Sequence, residues 1–473
     1  MPSDAHAARP TGRNESVPSA LRARHLSRGG LIAAAVLAFA VISGCSREEP
    51  KPAASAGPVE VVARIGLAAP LTGPQAHTGE DIRNGVQLAI DDINAAAVTI
   101  GGARLRLELL AEDDEANPTK ATTVAQSLVD RKVAAVVGHF NSGASIPASR
   151  IYSEAGVPQI SPASTNPKYT EQGFKTTFRV VANDNQQGPA LARFALERMG
   201  AKAIAVIDDS TPYGEGLADT FAAAASAAGA KVLVREHTSD KDTDFKAVLT
   251  LIKGKRPDLI MFGGVDPQAG PMVKQLVELG IKARFAGGDA IRTTNFIKLA
   301  GDAAAEGVHA SMPGLPKEQM PGGQQFFDKF QARFGKPVEL FAPMGYDAVY
   351  VFVEAMKRAN STDPAKFLPE VANTHYNGVI GPIAFDEKGD LKDGPLTVYE
   401  VKAGEWQAVE TITTATPAAV AAAADAGTTS SAPAARSAPT VPAAPPAVPG
   451  TGAAPAAKPA ASGPSAAPTT STK

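Results

Sequence analysis

The sequence predicts a doubly wound α/β protein. Between residue 59 and about residue 410, short Val-, Ile- and Leu-rich runs alternate with amphipathic stretches, and Gly, Pro or Asn mark most of the handovers. Strands alternating with helices of roughly 10–15 residues imply βαβ units and parallel sheets. Length agrees, because about 350 residues of globular composition suffice for two domains of ordinary size.

Taken in order, Val61–Leu67 reads as a strand, followed by a Leu71-Thr-Gly-Pro74 loop. Thr78 is expected to cap a helix from Gly79 towards Asn94, with Ile82, Val86, Leu88, Ala89 and Ile93 on its inner side. Arg104–Leu110 alternates charge and leucine as a strand does, and Asn117-Pro118 opens a second helix with proline at its first position. Val133–Val137 and Val157–Ile160 read as short buried strands separated by a helix that ends at Gly156. The pattern continues with strand Ala203–Ile207, helix Glu215–Ala228, strand Lys231–Glu236, helix Thr243–Lys253, strand Leu259–Phe262 and helix Pro267–Leu279. Near the end, Tyr376–Phe385 and Leu396–Val401 read as an antiparallel pair joined by Asp386–Asp390.

The two ends differ in composition from this middle zone. From Thr411 onward the chain is almost entirely Ala, Pro, Thr, Ser and Gly, and it cannot bury enough apolar surface to offset its ordering entropy. Residues 411–473 are therefore expected to be a disordered tail. At the other end, Arg9, Arg13, Arg22, Arg24 and Arg28 precede an apolar run, Leu31 to Ser43, that leads into Gly44-Cys45. A basic region, a short apolar region and small residues at the cut make a secretory signal. Ile42-Ser43-Gly44-Cys45 resembles the bacterial lipobox, in which the cysteine is lipidated and becomes the mature N-terminus. The other readings are an ordinary signal with a chance cysteine, or a single membrane anchor. The run of about 13 residues is short for the roughly 20 that span a bilayer. On the lipobox reading, residues 1–44 are a lipoprotein signal peptide, Cys45 is the lipidation site, and 45–58 are a membrane-anchored linker. The mature chain would then lie outside the cytoplasm, and with one cysteine it would fold without a disulfide.

A net charge of −2 leaves no basic footprint for nucleic acid. Catalytic patterns are missing too: the seven histidines are scattered, and there is no GxSxG elbow, phosphate loop or GxGxxG. Glu112-Asp-Asp-Glu115 reads as a solvated strand end rather than a catalytic pair. No enzymatic activity, metal or cofactor is expected. Ligand chemistry fits better. In doubly wound sheets the site lies beyond the carboxyl ends of the strands. There the loop Gly138-His-Phe-Asn-Ser-Gly-Ala-Ser145 and the loop Ser161-Pro-Ala-Ser-Thr-Asn-Pro167 offer hydroxyls and open backbone, suited to a carboxylate or simply to turns.

Those loops carry a resemblance. Val137-Gly-His-Phe-Asn-Ser-Gly-Ala-Ser-Ile-Pro147, Ile160-Ser-Pro-Ala-Ser-Thr165, Tyr213-Gly-Glu-Gly216 and Met344-Gly-Tyr-Asp-Ala348 resemble the extracytoplasmic leucine/isoleucine/valine-binding proteins of ABC importers. Pro70–Pro74, Asp91–Asn94 and Gly381–Gly389 do so as well, in the same order, from about Val59 to Glu400. The resemblance implies the type I periplasmic binding protein fold: two Rossmann-like lobes joined by a three-strand hinge and closing on a ligand. Lobe one would take 59–183 and 312–392, and lobe two 184–311 and 393–410.

The same resemblance implies site residues. Ser142 and Thr165 would hold the ligand's α-carboxylate, with Ser164 beside them, and the Ala163 carbonyl and Asp289 would hold its ammonium. Tyr213 would reach in from lobe two, and Phe140 and Asn141 would border the side-chain pocket. Thr78 and Val265 stand where tyrosines are frequent in the family, and Asp289 where glutamate is frequent, so the cargo is open within amino acids, amides and small carboxylic acids. The partners implied are a small-molecule ligand, the membrane subunits of an ABC permease, and the membrane through the lipid anchor. A ligand sensor on the same fold is the alternative.

Overall fold

A computed structural model describes residues 59–412. The signal, Cys45 with its linker, and the tail from residue 413 onward lie outside the described residues. Among the described residues, fifteen strands form two large sheets and one hairpin.

The first sheet has the order β2-β3-β1-β4-β5-β6. Its strands are β1 (Glu60–Ala69), β2 (Thr99–Ile100), β3 (Ala103–Asp113), β4 (Ala135–Gly138), β5 (Gln159–Ser161) and β6 (Thr177–Arg179). Every pairing is parallel except β2 with β3. Parallel sheets are covered on both faces, so their strands read as continuous apolar runs. Ile65, Leu67, Ala68 and Ala69 of β1 and all of β4 are accordingly buried.

The second sheet has the order β15-β14-β11-β10-β9-β7-β8. It is built from β7 (Ala203–Asp208), β8 (Lys231–His237), β9 (Leu259–Gly263), β10 (Arg284–Gly287), β11 (His309–Pro313), β14 (Leu396–Lys402) and β15 (Glu405–Ile412). Its core is parallel, and β14 and β15 add an antiparallel edge. The remaining strands, β12 (His375–Gly378) and β13 (Gly381–Ala384), pair only with each other. The architecture is that of two doubly wound α/β lobes, one around each large sheet.

The chain passes between the lobes after β6, after β11 and before β14. These passages run side by side. The Gly314 amide donates to the Pro395 carbonyl (2.7 Å), the Thr397 hydroxyl to the Gly314 carbonyl (2.8 Å), and the Arg179 amide to the Gly389 carbonyl (3.0 Å).

Three expectations need correction. Thr78 does not cap the first helix, which runs Ala76–Ala95 with Gln75 before it. A tight turn, with the Ala76 amide on the Gly73 carbonyl, starts the helix earlier and carries Thr78 inside its first turn, where it is buried. Tyr376–Phe385 is not one strand paired with Leu396–Val401. It folds back on itself at Val379-Ile380, whose amides donate to the Asp347 carboxylate (3.0 and 2.8 Å), while Leu396–Lys402 joins the second sheet. Asp347 lies on a helix about 30 positions upstream in sequence, so no local pattern announces that turn. The third concerns the acidic run: Glu112, Asp113 and Glu115 reach solvent, but Asp114 is fully buried against His139. The last strand also ends at Ile412, past the composition boundary.

In the first lobe the Ala76–Ala95 helix packs on the helix Ala342–Ala359. A Cβ on Gly85 would stand 2.1 Å from the Ala342 carbonyl oxygen, so only glycine permits this approach. One turn earlier, the buried Asp81 carboxylate accepts the amides of Glu339 (2.8 Å), Leu340 (3.0 Å), Phe341 (2.8 Å) and Ala342 (2.8 Å). It thereby satisfies four consecutive amides on the approach to the helix, the last of which, at Ala342, the helix start leaves without an intrahelical partner. Asp81→Ala would strand these donors, at about 1–3 kcal/mol for each one left buried and unpaired. We expect a loss of about 2–5 kcal/mol, read as a lowered urea midpoint with an unchanged slope; a loss under about 1 kcal/mol would show that water replaces the carboxylate.

Candidate functional site

Loops at the carboxyl ends of the strands meet between the lobes, where doubly wound sheets bind ligands. In the first lobe, β4 ends at Gly138 and leads through His139, Phe140 and Asn141 into the helix Ser142–Glu154. Beside it, β5 leads into Pro162–Asn166. In the second lobe, β7 feeds the helix Pro212–Ala227, β9 leads through Gly264-Val265 into the helix Asp266–Glu278, and β10 into a single turn at Asp289–Ile291. Phe140, Asn141, Ser142 and Ala163 face Tyr213, Val265, Asp289 and Ala290 across a thin slot with a cavity volume of about 10 Å³. That is far below the roughly 300–1,000 Å³ of sites for drug-sized molecules, so the two walls stand almost in contact.

The two walls differ in charge. On the first-lobe side, Ser142 is the first residue of its helix, where amide groups point outward and favour an anion. Its hydroxyl accepts the Asn166 amide (3.2 Å), which locks the two loops together. Asn141 donates to the Gln75 side chain (2.8 Å). The Thr165 hydroxyl is buried, makes no hydrogen bond of regular geometry, and has the Asp184 carboxylate as its polar neighbour.

The second-lobe side is acidic. The Asp289 carboxylate is buried and accepts from Gln187 Nε2 (2.8 Å) and the Tyr213 hydroxyl (3.0 Å), and the same hydroxyl accepts the Ala290 amide (3.3 Å). Burial pushes Asp289 up to about 6, although Gln187 and Tyr213 pull it down. A Cβ on Gly288 would stand 2.3 Å from the Tyr213 hydroxyl, so glycine is required for this approach. Behind the slot, Asp184 opens the helix Asp184–Glu197 with both carboxylate oxygens unpaired. Burial lifts it to about 8; the Thr165 hydroxyl opposes the rise, Asp289 adds to it and Arg179 opposes it.

Seven of the sequence-derived residues line the slot: Phe140, Asn141, Ser142, Ala163, Tyr213, Val265 and Asp289. Thr165 sits one residue behind the Ser164 turn, buried beside Asp184. The Ser164 hydroxyl does not face the slot. It is engaged inside the first lobe with Ser145 Oγ (2.6 Å) and the carbonyls of His139 (3.3 Å) and Phe140 (3.0 Å). Thr78 is buried near the rim but does not line the slot. Reading the sequence missed Ala290, Gln187 and Asp184. The Asn183-x-x-Gln186 capping pair was a local signal for the helix that carries the last two, and the Gln186 side chain does accept the Asn183 amide (3.2 Å).

An anion-favouring helix start on one side and a buried carboxylate on the other fit the two ends of a zwitterion. Known proteins match this chain over the same region. The sequence pattern of the periplasmic binding protein family matches residues 62–405. A leucine-, isoleucine-, valine-, threonine- and alanine-binding protein of Pseudomonas aeruginosa is 37% identical over 337 residues, 71% of this chain and 89% of that protein. A leucine-binding protein from Thermotoga maritima superposes with a TM-score of 0.70 at 30% identity, covering 74% of this chain and 99% of that one. A branched-chain amino acid transporter substrate-binding protein from Streptococcus pneumoniae, solved with isoleucine, gives 0.68 at 28% identity, covering 75% and 100%.

The carboxyl of Asp289 makes a prediction for the free protein. With its pKa raised by folding to about 6, the folded state holds the proton more tightly than the unfolded chain. Stability from this group is present at acid pH and falls as pH rises from about 4 towards 6. Asp289→Asn should therefore stabilise the ligand-free protein at pH 7, by about 2–3 kcal/mol, and the gain should vanish near pH 4. Equal stability of the two chains at both pH values, by urea titration, would contradict this.

Proposed function

Since the chain belongs to the periplasmic binding protein family, we propose that it is an extracytoplasmic receptor for a branched-chain or similarly small amino acid. The observation that carries this reading is the pairing of opposite walls. The Ser142 helix start and Thr165 hydroxyl come from one lobe, and the Asp289 carboxylate, braced by Tyr213 and Gln187, comes from the other. The ligand's carboxylate would take the first wall and its ammonium the second, with the Ala163 carbonyl assisting. A zwitterion removed from water needs each charge paired, at a penalty of several kcal/mol for one left alone. Phe140, Ala163, Val265 and Ala290 leave apolar surface for a short aliphatic side chain. The homologues named above carry such amino acids in their names.

Closure of the two lobes about the three passages is the mechanism of capture, and the closed form gains its stability from ligand contacts made by both walls. The lobes would be 59–183 with 312–392, and 184–311 with the segment from 393 to the last strand. The cargo would pass to the membrane subunits of an ABC permease. Lipid on Cys45 would hold the receptor at the membrane, and Cys45→Ser should release the protein and abolish incorporation of labelled fatty acid.

The cargo is tested by thermal shift of refolded protein against amino acids, amides and small carboxylates. A ligand at a hundred times its dissociation constant adds about 2.7 kcal/mol. A shift with leucine, isoleucine or valine is expected. A shift only with aromatic or other carboxylates would keep the receptor and reassign its cargo. Ser142→Ala with Thr165→Ala should weaken binding at least about a hundredfold and leave the melting temperature of the free protein within a few degrees; unaltered affinity would remove these residues from the site.

A further inference from the structure

We propose that His77 and Asp266 form a proton-dependent latch across the mouth of the cleft, which holds the lobes closed when His77 is charged. This rests on the receptor reading above. His77 lies in the first turn of the Ala76–Ala95 helix of the first lobe, and Asp266 is the first residue of the helix Asp266–Glu278 of the second. His77 Nε2 stands 3.1 Å from Asp266 Oδ2. The pair belongs to the rim of the slot: Val265, which lines it, immediately precedes Asp266, and Thr78 follows His77.

Asp266 is buried and held in place from its own lobe. The Thr293 hydroxyl (2.9 Å) and Asn295 Nδ2 (2.8 Å) donate to the same oxygen that meets His77. The His77 side chain is 28% exposed, so it exchanges protons with solvent without unfolding. A second carboxylate, Glu339, approaches from the segment before the Ala342–Ala359 helix and reaches across to the second lobe, where it accepts the Thr294 amide and hydroxyl. On the histidine's own helix, Glu80 is engaged by Lys336 (2.8 Å) and Arg83 (3.1 Å). Arg292, next to Thr293, lies over the Tyr399 ring at 4.6 Å. His77 thus sits where two carboxylates converge at the seam between the lobes, and a proton on its ring completes the charge balance there.

The direction of the pH effect follows. Burial works against the His77 charge, but the Asp266 contact and charge, the Glu339 charge and the Pro74 carbonyl outweigh it and hold its pKa above the ordinary 6.5. Opening the cleft withdraws Asp266, so closing takes up a proton. The latch is complete below the ordinary histidine pKa and is lost as pH rises through the higher closed-form value. A receptor built this way keeps its ligand better in acid surroundings and releases it more readily in alkaline ones.

The test uses the full chain with Cys45→Ser, spin-labelled at Gln126→Cys and Leu251→Cys, two exposed positions on helices of different lobes. Pulsed electron resonance gives the ratio of closed to open molecules from about pH 6 to about pH 8.5, with and without L-leucine as the probe. Asp289 and Asp184 titrate in the same range, so the profile is read as the difference between chains carrying His77 and His77→Gln. With His77 the closed-to-open ratio should fall about threefold to tenfold more across this range than with glutamine, and Asp266→Asn should match His77→Gln. Parallel profiles in all three chains, with leucine or without, would overturn the latch. Leucine closing every chain in parallel would leave the receptor standing without the latch. A His77-dependent profile that leucine does not alter would leave the latch standing and remove leucine as the cargo.

Discussion

The buried Arg179 guanidinium holds together the junction on which both lobes and the cleft depend. It is fully buried at the end of β6, and each of its nitrogens has a partner. Nε donates to Asp390 (2.6 Å), Nη1 to the Ser164 carbonyl (2.5 Å), and Nη2 to the Asn166 carbonyl (3.0 Å) and the Thr170 hydroxyl (2.8 Å). Asp390 in turn accepts from Thr170 (2.8 Å) and from Asn183 Nδ2 (3.0 Å), the residue just before the Asp184 helix. One ion pair therefore ties the exit from the first lobe, the returning chain and the loop that carries Ala163 and Thr165. A buried pair of this kind is a weak source of net stability, because desolvation offsets most of its attraction, but breaking it by removing one partner costs about 3–5 kcal/mol. Its effect here is geometric: the rigid fork of the guanidinium sets where the site loop lies relative to the passage about which the lobes would move.

A second buried set fixes the other loop. His139 Nδ1 meets Asp114 (2.6 Å) and Nε2 meets the Tyr152 hydroxyl (3.2 Å), all three fully buried. The His139 carbonyl collects the hydroxyls of Ser145 (3.2 Å), Ser161 (2.8 Å) and Ser164 (3.3 Å). The small hydroxyl residues that make these loops look like a ligand site are therefore divided between two tasks. Most satisfy one another and the backbone, while Ser142 lines the slot and Thr165 lies behind it beside Asp184. Rigid loops on both sides allow a charged ligand to be met by groups already in place, so little ordering cost is left for binding.

The cleft itself is held at an energetic disadvantage. Two carboxyl groups, Asp184 and Asp289, are both buried, burial raises the pKa of each, the Asp289 charge raises Asp184 further, and several polar atoms around them have no partner. Groups in that condition are costly in a free protein and become favourable when an opposite charge arrives. Behind the seam, the two sheets are packed with aliphatic and aromatic side chains.

Much of this protein was legible in the order of its residues. Alternating apolar runs and amphipathic stretches announce parallel strands and their helices, because the periods of 2 and 3.6 are local properties of the chain. The two loops beyond β4 and β5 were recognisable for the same reason, since each is contiguous, whereas Asp289 was named only through the family resemblance. What needed the tertiary structure were contacts between residues distant in sequence. Asp347 turning the β12–β13 hairpin, Asp114 buried on His139, Arg179 on Asp390, and Gln187 on Asp289 each join segments separated by at least 25 positions. A polar side chain's partner is chosen by proximity in space, which composition and spacing do not encode, so the sequence identified which residues could form a site and folding decided which of them face it.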